Sequence, residues 1–83
     1  MSTYEELHNY PLRIGTKQTM KALEQAICDT LFVAEDADPK VTNKAVILAN
    51  KLGVKIVHIA SMKQLGMHCG IEVGAAMAAI VNE

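Results

Sequence analysis

The chain is 83 residues long, 51% apolar and 20% charged, with eight Lys and Arg against nine Asp and Glu for a net charge of −1. That length excludes a two-domain enzyme, and that apolar content excludes the low-hydrophobicity, high-charge composition of a disordered chain, so one globular domain over 1–83 is expected. The near-neutral balance also lacks the basic excess of a protein that coats nucleic acid or an anionic membrane.

The chain begins MSTYEELHNY, which is acidic rather than a basic leader. No apolar run approaches the roughly 20 residues of a membrane helix, so a cytoplasmic protein without membrane contact is expected. Residues 3–8 suit a helical turn that Tyr10-Pro11 ends, because the residue before proline is pushed out of the helical region. Leu12 to Ile14 reads as a short strand. Gly15 and Thr16 form an entry turn to a helix from Lys17, with Met20, Leu23 and Ile27 as its apolar stripe and Lys17, Gln18, Lys21, Glu24 and Gln25 on the opposite face.

The continuous apolar run Leu31-Phe32-Val33-Ala34 suits a central strand covered on both faces. Asp38-Pro39 pairs an N-cap carboxylate with a proline at the first helical position. The helix it opens should bury Val41, Ala45, Leu48, Ala49 and Leu52 and stop at Gly53, a natural left-handed cap. Val54 to Ile59 is β-branched and reads as a strand, and Ser61 with Gln64 has the spacing of a capping box opening a further short helix. Gly66, Gly70 and Gly74 fall four apart, a pattern read here as a helix end and a mobile loop suited to contacting a ligand. From Ala75 to Val81 the alanines favour a helix by propensity, while Ile80 and Val81 favour a strand.

Chemistry concentrates at Gly15. The first N–H groups of a helix lack internal partners, and the helix dipole there favours an anion. Arg13, Lys17 and Lys21 occupy a stretch without an acid, and Lys17 and Lys21, four apart, share one helix face. Cations at a helix N-terminus cost roughly 0.3 to 1 kcal/mol, which a bound phosphate would offset; the same residues also fit a solvated helix end. The order Gly15-Thr16-Lys17 is not a triphosphate loop, and no Gly-x-Gly-x-x-Gly is present. Cys28 and Cys69 have neither zinc spacing nor a disulfide framework and read as buried thiols. His68 and Cys69, with Met67 and Cys28, offer soft ligand atoms, but neighbours on a helix point apart, so no metal is expected. Neither His8 nor His58 has a sequence-local nucleophile and carboxylate for a triad. Glu35, Asp36 and Asp38 are read as a solvated turn, with Asp38 as the helix cap.

Three stretches together, GTKQTMKAL at 15–23, VAEDADP at 33–39 and LGMHCGIEVGAA at 65–76, resemble the signature stretches of the ribosomal protein L7Ae family, whose members bind kink-turn RNA. The likeness is greatest to the short bacterial members and spans nearly the whole chain. It implies a three-layer α/β/α sandwich around a four-stranded mixed sheet, with the tail from about Ala75 to Val81 as the last strand. It further implies that the turn at Gly15 enters the RNA major groove at a sharp bend flanked by tandem sheared G·A pairs, and that Ile71, Glu72 and Val73 lie over the splayed nucleotides.

Position by position, the resemblance makes Gly15 the residue of close backbone approach, Thr16 its small neighbour and Lys21 a phosphate-facing lysine. Arg13 belongs to the same basic group. Lys17 and Gln18 stand where archaeal and eukaryotic members usually carry Asn-Glu, which reads the guanines. A Gln amide still accepts from a guanine amino group but without charge assistance, a contact weaker by roughly 1 kcal/mol, while Lys17 can donate to guanine or phosphate. Ile71 and Val73 would give apolar cover to unstacked bases, or else tuck into the core. Met62 occupies a position that is commonly basic in the family, with Lys63 following it.

The leading expectation is therefore a non-enzymatic, monomeric module that stabilises structured RNA with a kink-turn, ribosomal RNA among the candidates, and needs no cofactor. Two other readings stay open: a protein-interaction or assembly module on the same fold, and a small phosphate-ligand enzyme built on the Gly15 turn. The last suffers from the lack of a paired nucleophile and base.

Overall fold

The computed structural model describes residues 7 and 9–82. Its elements in chain order are β1 (Leu12–Ile14), α1 (Thr16–Glu24), β2 (Cys28–Ala34), α2 (Pro39–Leu52), β3 (Lys55–Ile59), α3 (Met62–Cys69) and β4 (Met77–Val81). The helical turn expected over residues 3–8 lies outside the described residues except for Leu7, which is buried and accepts from the Tyr10 N–H at 2.9 Å.

The four strands form one mixed sheet in the order β1-β4-β2-β3. β4 runs antiparallel to both of its neighbours, while β2 and β3 are parallel, joined by the α2 crossover that a parallel pair requires. Cys28 faces Val81 and Thr30 faces Ile80, so the register shifts at Asp29, where one extra residue bulges β2. Alternation along the central strands divides the core in two. Leu31, Val33, Met77, Ala79 and Val81 pack with Ala22 and Leu23 of α1 and Ala45 and Ala49 of α2. Phe32, Ala34 and Ala78 pack on the other side with Leu65 and Cys69 of α3, joined by Leu7. The architecture is thus a three-layer α/β/α sandwich.

Local signals account for most boundaries. Asp38 accepts from the Lys40 N–H at 2.9 Å ahead of Pro39, and Gly53 ends α2 at φ 72°. Ser61 accepts from the Gln64 N–H at 3.1 Å, and Gly70 ends α3 at φ 81°. The tail is a strand rather than the helix that alanine propensity favours. Met77, Ala78 and Ala79 are fully buried between the two helical layers, and side chains of this size let both layers close on β4.

Two expected stripes are corrected. In α1 the buried residues are Thr19, Ala22 and Leu23; Met20 is half-buried, and Ile27 lies beyond the end of the helix. In α2 they are Thr42, Ala45 and Ala49, while Val41 and Leu52 are exposed. In α2 small side chains take the sheet-facing positions and larger apolar ones flank them, while in α1 Leu23 packs on the sheet beside Ala22 and Thr19.

Candidate functional site

α1 starts differently from the other two helices. Its N-cap, Gly15, sits at φ 96° and ψ 162°, a backbone conformation suited to glycine, and contributes no side chain to the free N–H groups. The first intrahelical bond, from the Thr19 N–H to the Gly15 carbonyl at 3.0 Å, leaves the amides of Thr16, Lys17 and Gln18 without partners inside the helix. The first turn contains no acid, and Thr16, Lys17, Gln18 and Lys21 are exposed. By contrast, a carboxylate caps α2, and α3 carries both the Ser61 cap and a bond from the Met62 N–H to the Asp36 carboxylate at 2.8 Å. Among the described residues, the positive end of the helix dipole is therefore left uncapped at α1 and capped at α2 and α3.

Arg13 lies in the middle of β1, half-buried, its Nη1 donating to the Leu12 carbonyl at 3.3 Å. Leu12 and Ile14 pack on the α3 side of the sheet, so strand alternation assigns Arg13 to the α1 side. It stands two residues before Gly15, and no acid separates it from Lys17 and Lys21.

Main-chain hydrogen bonds bring the three signature stretches to one end of the sheet. The Gly15 N–H donates to the Met77 carbonyl at 3.0 Å, and the Ala34 N–H donates to the neighbouring Ala76 carbonyl at 2.9 Å. The turn at Gly15, the loop after β2 and the segment leading into β4 thus meet at the start of β4. The stretch between Gly70 and Ala76 is anchored near both of its ends. The Ile71 N–H reaches the Gly66 carbonyl at 3.0 Å, and the Ala75 N–H reaches the Met62 carbonyl at 3.0 Å.

Of the three residues expected over the bend, Val73 presents the apolar surface, 70% exposed, with Glu72 exposed beside it. Ile71 is half-buried against the α3-side core. Met67 and Met62 add further exposed apolar surface on α3. Sequence reasoning missed three contributors. Gly66 is a buried residue within α3 rather than a helix end, and a Cβ there would strike the Val73 carbonyl oxygen. Gly74 lies against Met62, where a Cβ would come within 3.2 Å of the Met62 Cβ. Asp36 is not merely a solvated turn residue, since it caps α3 through Met62. The four-residue glycine spacing carried the signal for Gly66 and Gly74; nothing in the sequence couples Asp36 to Met62.

Among the described residues no group of three or more His, Cys, Asp or Glu is placed to hold a metal, and no helix is long and apolar enough to cross a membrane. Cys28 and Cys69 are free, buried thiols. Burial, reinforced by the nearby Asp29 charge, pushes the Cys28 thiol up from 9.0 to about 11, and burial raises that of Cys69 as well. Both are held protonated, the inert form.

Known proteins share both this sequence and this fold. The chain is 49% identical over 69 residues to an RNA-binding protein of Halalkalibacterium halodurans, covering 83% of this chain and 84% of that protein. It is 42% identical over 82 residues to the RNA-binding protein YbxF of Geobacillus stearothermophilus, covering 99% of this chain and all of the relative. The 15.5 kD RNA-binding protein of Giardia lamblia superposes with a TM-score of 0.87 over 96% of this chain and 71% of its own, and at 21% identity it shows a common fold. A family model matches residues 4–83, and with the three stretches folded to one end of the sheet, this chain belongs to the ribosomal protein L7Ae/L30e/S12e/Gadd45 family.

Proposed function

We propose that this protein binds RNA and stabilises the kinked form of a kink-turn, acting by binding rather than by catalysis. The observation that carries the reading is the uncapped, acid-free start of α1, with Lys17 in its first turn and Lys21 one turn further on in the last, joined through Met77 to the loop that exposes Val73. Open amides and lysines suit phosphates in the groove, and Gln18 suits the guanine edges of the G·A pairs. Val73 suits unstacked bases, which bind apolar and aromatic surfaces in RNA recognition. Arg13 adds charge at the base of the same turn. Relatives named as RNA-binding proteins support the assignment.

Contacts available only in the bent RNA shift a kinked and unkinked population toward the kinked state. One chain per bend suffices, and cytoplasmic RNA, ribosomal RNA included, supplies such bends. Energy transfer between fluorophores on the two arms of a kink-turn should rise on adding protein and stay flat once the G·A pairs are replaced. An equal rise for both RNAs would defeat the proposal. A protein-docking role draws on a different observation, the exposed Val41, Ile47 and Leu52 of α2. A stable protein complex together with no retardation of kink-turn RNA would favour it.

A further inference from the structure

Met62 is held at both ends of its peptide. Its N–H donates to the Asp36 carboxylate at 2.8 Å, across 26 positions of sequence, and its carbonyl accepts from the Ala75 N–H at 3.0 Å. Gly74 packs on the same residue, with the site of a Cβ only 3.3 Å from the Met62 carbonyl carbon and oxygen. The neighbouring Ala76 carbonyl returns to the loop that carries Asp36 by accepting from Ala34. Asp36, Met62, Ala75, Ala76 and Ala34 therefore close a ring of contacts, and the 71–73 stretch hangs from it. Asp36 supplies the one side-chain link in that ring. It is exposed, contributes nothing to the core and bears the same sign of charge as RNA, so neither packing nor phosphate binding accounts for it.

We propose that Asp36 is a positioning residue for RNA recognition: by fixing the start of α3 it fixes Gly74 and Ala75, and so sets where the 71–73 stretch stands relative to the Gly15 turn. The inference rests on the RNA-binding reading above. Its energetic form is a population term. When the binding-competent loop is only partly populated, apparent affinity falls by that fraction, and no RNA contact need be lost.

The experiment compares the full-length protein with Asp36→Ala, Asp36→Asn and Gly74→Ala, each binding an intact kink-turn RNA and the same RNA with its G·A pairs replaced, over a range of salt. Asn keeps an oxygen that can accept from the Met62 N–H while it removes the charge and exchanges the second oxygen for an NH2 donor. Asp36→Ala should weaken binding to the intact kink-turn by about fivefold, the equivalent of a lost helix cap, and leave the salt slope unchanged because no phosphate contact disappears. Asp36→Asn should recover most of that loss. Hydrogen exchange at the amides of Met62 and Ala75 should quicken in Asp36→Ala and be restored in Asp36→Asn.

Tighter binding by both Asp36 variants would overturn the proposal, making Asp36 a simple repulsive charge. Unchanged affinity in Asp36→Ala, with faster exchange at Met62, would overturn it as well, limiting Asp36 to helix stability. Gly74→Ala tests the same joint from the loop side, and wild-type affinity in that variant would also count against it. Failure of the underlying reading looks different, because the wild-type protein itself would then bind the two RNAs equally.

Discussion

Gly66 and Val73 share a space that no side chain could enter: a Cβ on Gly66 would strike the Val73 carbonyl oxygen and lie 3.1 Å from its carbonyl carbon. The obstacle is main chain, which cannot rotate aside as a side chain tip does. α3 thus carries a glycine in its second turn because the 71–73 stretch crosses it there.

Gly66→Ala sets two effects against each other. Alanine is the better helix former by about 1 kcal/mol. Forcing extra volume against packed main chain costs about 1 to 3 kcal/mol, and more when the neighbour is rigid. We expect a net loss of stability, read as a lower urea midpoint, with weaker RNA binding as the Val73 segment is pushed away. A rise in the midpoint would show that the loop yields freely.

Ala26 behaves in the opposite sense. It sits at φ 58°, just past the end of α1, where the Ala26 N–H reaches Leu23 and the Ile27 N–H reaches Ala22 in the manner of a Schellman cap. Left-handed backbone costs a residue with a Cβ about 1 to 2 kcal/mol, part of which glycine loses to unfolded-state entropy. Ala26→Gly should raise stability by roughly 0.5 to 1 kcal/mol, a gain of a few degrees in Tm for a domain of this size. Thermal melts of the two proteins decide it, and a lower Tm for the glycine form would contradict it.

Lys21 and Gln18 separate charge from base reading. Lys21→Ala should weaken binding to every RNA and lower the salt slope by about one phosphate contact. Gln18→Ala should instead reduce the preference for intact over replaced G·A pairs. Titrations of both RNAs at several salt concentrations measure the two effects together, and an unchanged preference would remove Gln18 from base recognition.

Cys28 links stability to alkaline pH. Its thiol titrates near 11 in the folded protein against an ordinary value of 9.0, so the unfolded chain releases its proton first. The contribution is fully present below pH 9 and is lost as pH rises toward 11. Urea midpoints should fall across that interval, and the fall should be smaller in Cys28→Ala. At neutral pH an aromatic disulfide reagent should modify neither cysteine until the protein unfolds, and rapid labelling of native protein would contradict their burial.

What could be read from the sequence follows the range of the interactions. Asp38, Pro39, Gly53 and Ser61 act on atoms within a few residues, and each element end they mark lies where those residues require it. The helix stripes are legible only in part: Leu23, Ala45 and Ala49 are buried as expected, but periodicity gives weight to large apolar side chains, and Thr19, Ala22 and Thr42 took positions it does not mark. β4 was legible only through family likeness, since burial on both faces overrides the helical preference of its alanines. At the candidate site, the basic turn from Arg13 to Lys21 could be seen in one short stretch. The link from Asp36 to Met62 and the contact of Gly66 with Val73 exist only once the chain has folded back on itself.

The place of β4 in the sheet constrains how this protein is born. A ribosome releases β1 and β2 first, yet neither pairs with the other, because β4 stands between them and is made after both. Until Met77–Val81 emerges, β1 has no partner strand and the run Leu31-Phe32-Val33-Ala34 lacks one flank. Partial folding during synthesis can reach little beyond the β2–α2–β3 unit, and the sheet closes by inserting its latest strand at the centre, a long-range pairing of the kind that slows folding. The end of the sheet at which Gly15, Ala34 and Ala76 meet is created by that same insertion, so the candidate site is assembled only once β4 is in place.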